Sequence, residues 1–330
     1  MPPTYSEIKS TFVSSTLNAY QKQVIDQIWR ARPMLAWAMA HKRPQVGGRK
    51  VFIPVQYGEN TSIQKNLGRG STFPLVQDEI ITEAWYDWTT YGGSVLCYRD
   101  DDLENTGKYA VYNMLEQYIQ NMVQTFQKTL EIDLFSTEST GANHFCGLRG
   151  LIEDVDTSSN DTSQTAGSNT VGNLPRGTYP WWTNWGRNMT SKDATVWLTH
   201  YLREAYDNVE DYTGQAPEIL ITHKTVRNLY EDEVGETLRT MSVKLGDIGY
   251  KSVEYKGVPF LTSTYATQTR LYAIGKDTVE LIYEPRMWFK STAWKEPTNQ
   301  AFDYTRQTLA KGQFTIKKPR GTSVIYNINN

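Results

Sequence analysis

The run from Asn105 to Ser136, NTGKYAVYNMLEQYIQNMVQTFQKTLEIDLFS, constrains this 330-residue chain more than any other stretch. Val111, Leu115, Tyr118, Ile119, Met122, Phe126, Leu130 and Leu134 fall at helical spacing and draw one apolar stripe. Asn105 or Thr106 offers a capping oxygen, and no proline interrupts the run. The spacing predicts a helix over 106–136, roughly 45 Å long and well beyond the average. A stripe of that length needs a broad partner surface, so the helix is expected to be the spine of the fold.

Composition narrows what the chain can bind. Lys and Arg number 34 against 36 Asp and Glu, a net charge of -2, so no basic excess points to nucleic acid as a direct partner. With 39% hydrophobic and 21% charged residues the chain reads as globular, and no run reaches the length of a membrane span. The opening MPPTYSEIKS lacks the basic and apolar regions of a secretion signal. Cys97 and Cys146 are the two cysteines, too few for a disulfide framework or a cysteine zinc site, so a reducing cytoplasm is expected. The 21 Tyr and 10 Trp are unusual, and residues of this kind gather at protein interfaces, sugar sites and cores.

Residues 1–47 read as an arm. Val24, Ile25, Ile28 and Trp29 share a helical face in LNAYQKQVIDQIWRA, Pro33 restarts the chain, and Leu35 and Trp37 predict a second short amphipathic piece. This is too little apolar surface to fold alone, so the arm is expected to dock on something. From Lys50, Val51, Ile53, Val55 and Tyr57 alternate with Phe52, Pro54 and Gln56, which is strand spacing. Pro54 suits an edge strand. Ile81–Tyr91 returns as a second β-rich run, with a polar tip from Lys65 to Thr72 between them. This hairpin has no obvious core of its own, so it either projects and packs on another chain, the favoured reading, or lies as a surface flap.

After the long helix, residues 137–178 turn to Ser, Thr, Gly and Asn, with the short run GLRGLI inside them and the loop DTSSNDTSQTAGSNTVG following. PWWTNW then packs three tryptophans together. An α/β pattern starts at Ser191: a helix buried through Leu198, Leu202, Ala205 and Val209, the strand PEILIT, a second helix, and the strands GVPFLTS and RLYAIG. VELIYE, QFTIKK and SVIYNI read as strands after Val279.

The motifs of catalysis are missing. Gly68–Gly70 lacks the third glycine and the setting of a dinucleotide loop, and neither a phosphate loop nor HExxH occurs. His41, His144, His200 and His223 are scattered, and Cys146 reads as a small buried thiol. The acidic run Asp100, Asp101, Asp102 and Glu104 lacks the spacing of a calcium loop and fits the start of the long helix, whose dipole favours negative charge there. No enzyme activity, cofactor or metal is expected. PWWTNW keeps open an aromatic-rich carbohydrate-binding protein or glycoside hydrolase, although no acid pair stands out.

The order of parts resembles the major capsid protein of tailed bacteriophages, the Hong Kong 97-type fold. VLCYRDDDLENT leading into YNMLEQYIQNMVQTFQKTLEIDLF looks like that family's passage from extended loop to spine helix. YKGVPFLTSTYATQTRLYAIGKDTVEL is similar to its central strands. The resemblance implies an α+β fold with an amino-terminal arm (1–47), a long β-hairpin loop (48–97), a peripheral domain (98–190) holding the spine helix, an axial α/β domain (191–276) and peripheral return strands (277–330). It implies a structural protein that self-assembles through hexamers and pentamers into an icosahedral head around double-stranded DNA. Assembly would take place in the bacterial host cytoplasm, without a membrane. Lys65, Asn66, Arg69, Phe73, Trp85 and Trp88 on the loop would contact a neighbouring subunit.

Two departures from the founding member bear on partners. The chain begins almost directly with its arm, which implies a separate scaffolding protein beside portal and decoration proteins. The founding member joins a loop lysine to a neighbour's asparagine; Lys65 lies near the tip, but nothing gives Asn299 or Asn327 the geometry, and no cross-link is expected. An encapsulin-like compartment remains the alternative within the same fold.

Overall fold

The computed structural model describes residues 32–66, 68–72, 75, 77–99, 114–157, 169–190, 192–234, 253–297 and 303–329. The segment from Leu17, the start of the predicted long helix, Phe73 and the acidic run Asp100–Glu104 lie outside these ranges.

Helix α1 (Pro33–Ala40) starts on a proline, at the one helical position where a missing N–H costs nothing. It is not the amphipathic piece expected. PMLAWAMA carries no charge, and Met34, Leu35 and Ala38 are all buried. The chain then adds β1 (Lys42–Pro44) in parallel to β12 (Val279–Tyr283), in register from Lys42↔Leu281 to Pro44↔Tyr283. Nothing in KRP reads as a strand; Arg43 is held there by an ion pair to Glu280 at 3.0 Å.

Strands β2 (Lys50–Gln56) and β3 (Ile81–Asp87) form the expected hairpin, Lys50 opposite Asp87 and Gln56 opposite Ile81. The return leg leaves the hairpin at Trp88. As β4 (Thr89–Cys97) it pairs with β14 (Tyr304–Ile316) over the register Thr89↔Gly312 to Cys97↔Tyr304. Gly312 also faces Tyr283 of β12, so β14 is an inner strand of a five-stranded sheet that β13 (Lys290–Ser291) completes.

Helix α2 (Met114–Asp133) runs 20 residues as described, about 30 Å at the helical rise. It stops three residues before the predicted Ser136, where bonds from Phe135 N to Ile132 O and Ser136 N to Asp133 O tighten the turn. Burial of the stripe is uneven: Met122, Phe126, Leu130 and Leu134 are buried, whereas Tyr118 is 41% exposed. GLRGLI forms a single turn, α3 (Leu148–Leu151), and β5 (Thr170–Val171) pairs with β6 (Leu174–Pro175).

The second sheet has six strands in the order β7 (Trp185–Asn188), β15 (Thr322–Tyr326), β11 (Arg270–Ile274), β8 (Ile219–Thr222), β10 (Val258–Thr262) and β9 (Glu254–Tyr255). Helices α4 (Ala194–Thr213) and α5 (Lys224–Val234) accompany it. Asp193 caps α4 by accepting from Thr195 N, Gly214 closes it with φ 71°, and Leu198, Leu202, Ala205 and Val209 are buried as expected. SVIYNI does not stay with QFTIKK. It crosses as β15 into this sheet between β11 and β7. All five of its residues are buried, and a strand covered on both faces belongs inside a sheet.

One apolar cluster joins the two sheets, and a second packs α4 and α5 against the six-stranded sheet. Leu130 and Leu134 of α2 and the buried residues of α1 join Phe145, Leu148 and Leu151, then Ile221, Tyr272 and Val324 on one side and Leu281 and Phe314 on the other.

Candidate assembly surface

The hairpin divides into an anchored stem and an uncovered end. On one face of the stem Val51, Ile53, Ala84 and Tyr86 are buried; on the other Phe52 and Pro54 face outward. The Tyr86 hydroxyl donates to Ile316 O of β14 at 3.2 Å, and burial pushes its pKa up. Trp85 N donates to Gly172 O at 3.0 Å and Asp87 N to Thr140 O at 3.1 Å. Gly172, with φ 58°, lets β5–β6 lie against the stem, since a Cβ there would come 2.9 Å from the Tyr86 ring.

Beyond Tyr57 the chain is irregular. Asp78 holds the loop by accepting from Thr61 N at 2.8 Å and from its hydroxyl at 2.9 Å. Lys65, Asn66 and Arg69 are exposed here, Asn66 at φ 58°. Large apolar side chains of the same loop and of the first residue of β3 are exposed as well: Leu75 98%, Ile63 78% and Ile81 64%. Trp85 and Trp88 lie elsewhere, half-buried on the stem and at its base. The Lys50 ammonium sits 3.0 Å from the Trp85 ring centroid, and Trp88 Nε1 donates to Gly48 O at 3.0 Å. Of the six predicted loop contacts, three lie at the tip, Trp85 on the stem and Trp88 at its base, and Phe73 is outside the described residues.

A second uncovered surface is the open groove between β4 and the first half of α2. Its volume is 480 Å³, and Gly92, Gly93, Val95, Tyr118, Met122 and Phe126 line it. Gly93 lets the helix come this close, because a Cβ there would meet Phe126 at 2.4 Å. Tyr118, Leu96 and Leu309 surround it as exposed apolar side chains.

The aromatic cluster is a packing device. Trp182 is buried and donates Nε1–H to Val171 O at 3.0 Å, while Trp181 stacks on Tyr57 with centroids 5.0 Å apart. Trp181 also meets Trp182 edge to face, with centroids 5.8 Å apart. His41 bonds Glu218 at 2.7 Å, His144 lies near Ser136, His200 pairs with Glu204 at 3.3 Å, and buried His223 contacts Thr225. Among the described residues no three His, Cys, Asp or Glu gather as a metal set would. Cys146 is buried, which pushes its thiol pKa well up, away from a nucleophilic thiolate.

Three buried polar residues carry no sequence signal of their role. Arg176 donates to Trp182 O at 3.0 Å, Leu151 O at 2.6 Å and Glu153 at 3.4 Å. Gln313 accepts from Cys146 N at 2.8 Å and Phe314 N at 2.9 Å, and donates to Asp87 O at 2.7 Å. Glu131 is the third, fully buried in α2. Each is one polar residue in an otherwise ordinary segment, and only the folded chain supplies its partners.

No protein-family model matches the sequence, and no curated protein is detectably similar. Solved structures do match over nearly the whole chain, phage capsids and an encapsulin among them, and the chain has the Hong Kong 97-type capsid fold. The cyanophage A-1(L) capsid asymmetric unit is similar at TM-score 0.62 and 15% identity, over 95% of this chain and 97% of that one. The structure titled Gordonia phage Cozz is similar at 0.57 and 12% identity, over 100% and 98%. The SrpI encapsulin complex from Synechococcus elongatus is similar at 0.60 and 10% identity, over 96% and 95%. No helix among the described residues is long and apolar enough to cross a membrane.

Proposed function

We propose that the chain is the major capsid protein of a tailed phage, a structural protein that closes on copies of itself as an icosahedral shell around double-stranded DNA. The observation that carries this reading is the hairpin end: Leu75, Ile63 and Ile81 stand in water on a fold that shell proteins share across their whole length. An isolated subunit gains nothing from such exposure, whereas a neighbour that covers it gains the burial energy. In this reading α2 is the spine, the five-stranded sheet is the peripheral domain, and the six-stranded sheet with α4 and α5 is the axial domain. The loop around Lys65, Asn66 and Arg69 reaches an adjacent subunit, and the groove beside Tyr118 and Met122 is a surface for it to cover. Hexamers and pentamers form in the host cytoplasm with a separate scaffold, a portal and decoration proteins, and contact with DNA is weak in keeping with the net charge of -2.

The likeness to the SrpI encapsulin supports a second reading, a shell that encloses protein cargo. Negative-stain microscopy and sedimentation of the purified chain, with and without its scaffold, test both. Closed shells or rings of subunits are expected, and nuclease-protected DNA in particles from lysed hosts selects the phage head over the compartment. A monomer under every condition would overturn both.

A further inference from the structure

Helix α1 has no cap of its own. Arg32 occupies the N-cap position without a side-chain capping bond, and Pro33 brings no N–H. The Ala36 amide is taken by Arg32 O at 3.2 Å. The two remaining first-turn donors are buried and must be satisfied. One distant side chain does so: Leu35 N donates to Glu131 Oε2 at 2.6 Å and Met34 N to Oε1 at 3.4 Å. Ser263 Oγ, in the turn after β10, donates to the same Oε1 at 2.7 Å. A single carboxylate thus joins the arm, the long helix and the six-stranded sheet.

We propose that Glu131 is a latch for the amino-terminal arm, and that its ionisation sets how firmly α1 is held to the body of the subunit. Its surroundings define the response. Arg32 is the cation facing it from the arm, and the Arg32 guanidinium also bonds Gln127, one turn back on α2. The donors from Met34, Leu35 and Ser263 are neutral. His41, at the far end of α1, is occupied by Glu218. Burial pushes the Glu131 carboxyl above its ordinary value of 4.5, outweighing the opposing pull of Ser263, the two amides and Arg32.

When the arm lifts away, water reaches the carboxyl and returns it toward that ordinary value. The docked form therefore holds a proton to higher pH than the released form, so acid tightens the latch. Raising the pH from 4.5 through the docked value weakens it, and the effect levels off once the docked carboxyl is ionised.

Hydrogen exchange of the full-length protein, followed by mass spectrometry on the peptide covering residues 34–40 between pH 5 and 8, reads this directly. After correction for intrinsic exchange, wild-type protection should fall as pH rises above the ordinary value of 4.5 and then level off. Glu131→Gln, which keeps an acceptor but cannot ionise, should give a flat profile. Ser263→Ala removes a donor that favours the charged form and should displace the fall to higher pH. A flat wild-type profile overturns the latch, as does an unchanged slope in Glu131→Gln. Should that variant not fold, a Ser263→Ala profile that coincides with wild type overturns it equally.

Discussion

Gly93 of β4 lies directly beneath Phe126 of α2, so close that a Cβ would stand 2.4 Å from the ring edge. The long helix rests on this glycine, and its neighbour Gly92 has ordinary room, with Leu309 at 3.4 Å. Gly93→Val should force the ring or the helix outward and cost about 1–3 kcal/mol, as overpacking does. Gly92→Ala should be close to neutral. Thermal denaturation of the two variants side by side checks the contrast; equal melting temperatures would mean that the helix does not rest there.

Arg176 is fully buried and its bonds tie the Trp182 turn to Leu151 and Glu153. Burial lowers its pKa, with Glu153 opposing. Arg176→Met leaves two carbonyls without this donor and the partly buried Glu153 carboxylate without its cation. A loss of about 3 kcal/mol is expected. Urea denaturation measures it, and a loss under 1 kcal/mol would remove the residue from the framework.

Gln313 needs both ends of its amide: the oxygen accepts from Cys146 N and Phe314 N, and the nitrogen donates to Asp87 O and the Thr89 hydroxyl. Gln313→Leu, similar in size, should destabilise by about 1–3 kcal/mol through the unmet groups. Gln313→Glu keeps the acceptor but turns a carboxylate on Asp87 O, so it should be destabilised most at neutral pH and recover part of the loss in acid. Melting temperature against pH for the two variants separates them.

Asp193 accepts from the hydroxyl and amide of Thr195, and these bonds hold its carboxyl below the usual value of 3.8. The depressed value fixes the sign: the cap is fully effective above 3.8 and fails as pH falls through the lower folded value. Exchange protection in the first turn of α4 should decline in that acid range for wild type. In Asp193→Asn, which caps without ionising, it should not.

Much of this architecture is written in local pattern. Alternation around Val51 and Ile53 marks the hairpin, and the steps from Met122 to Leu134 mark the buried part of the long helix. Leu198, Leu202, Ala205 and Val209 mark α4. What local pattern cannot carry is pairing. The return leg reads as one run from Ile81 to Tyr91, yet it breaks at Trp88 because β4 finds a longer partner in β14. QFTIKK and SVIYNI are equally strand-like, and the QFTI part of β14 is buried as completely as β15, so nothing in either run tells which sheet it joins. The candidate surface is legible in the same proportion. The tip around Lys65, Asn66 and Arg69 is legible as a polar stretch, while nothing local shows that Trp85 and Trp88 lie on the stem and at its base. The capping role of Glu131 is invisible in sequence, since its partners lie 96 and 132 residues away.

The partnership between β4 and β14 gives the hairpin a mechanical footing. Cross-strand hydrogen bonds lie perpendicular to antiparallel strands, so tension applied along β4 loads them together in shear instead of opening them one by one. From Thr89 to Cys97 the register supplies nine residue pairs to share that load. A tug on the loop by whatever grips it thus ends in an inner strand of the five-stranded sheet.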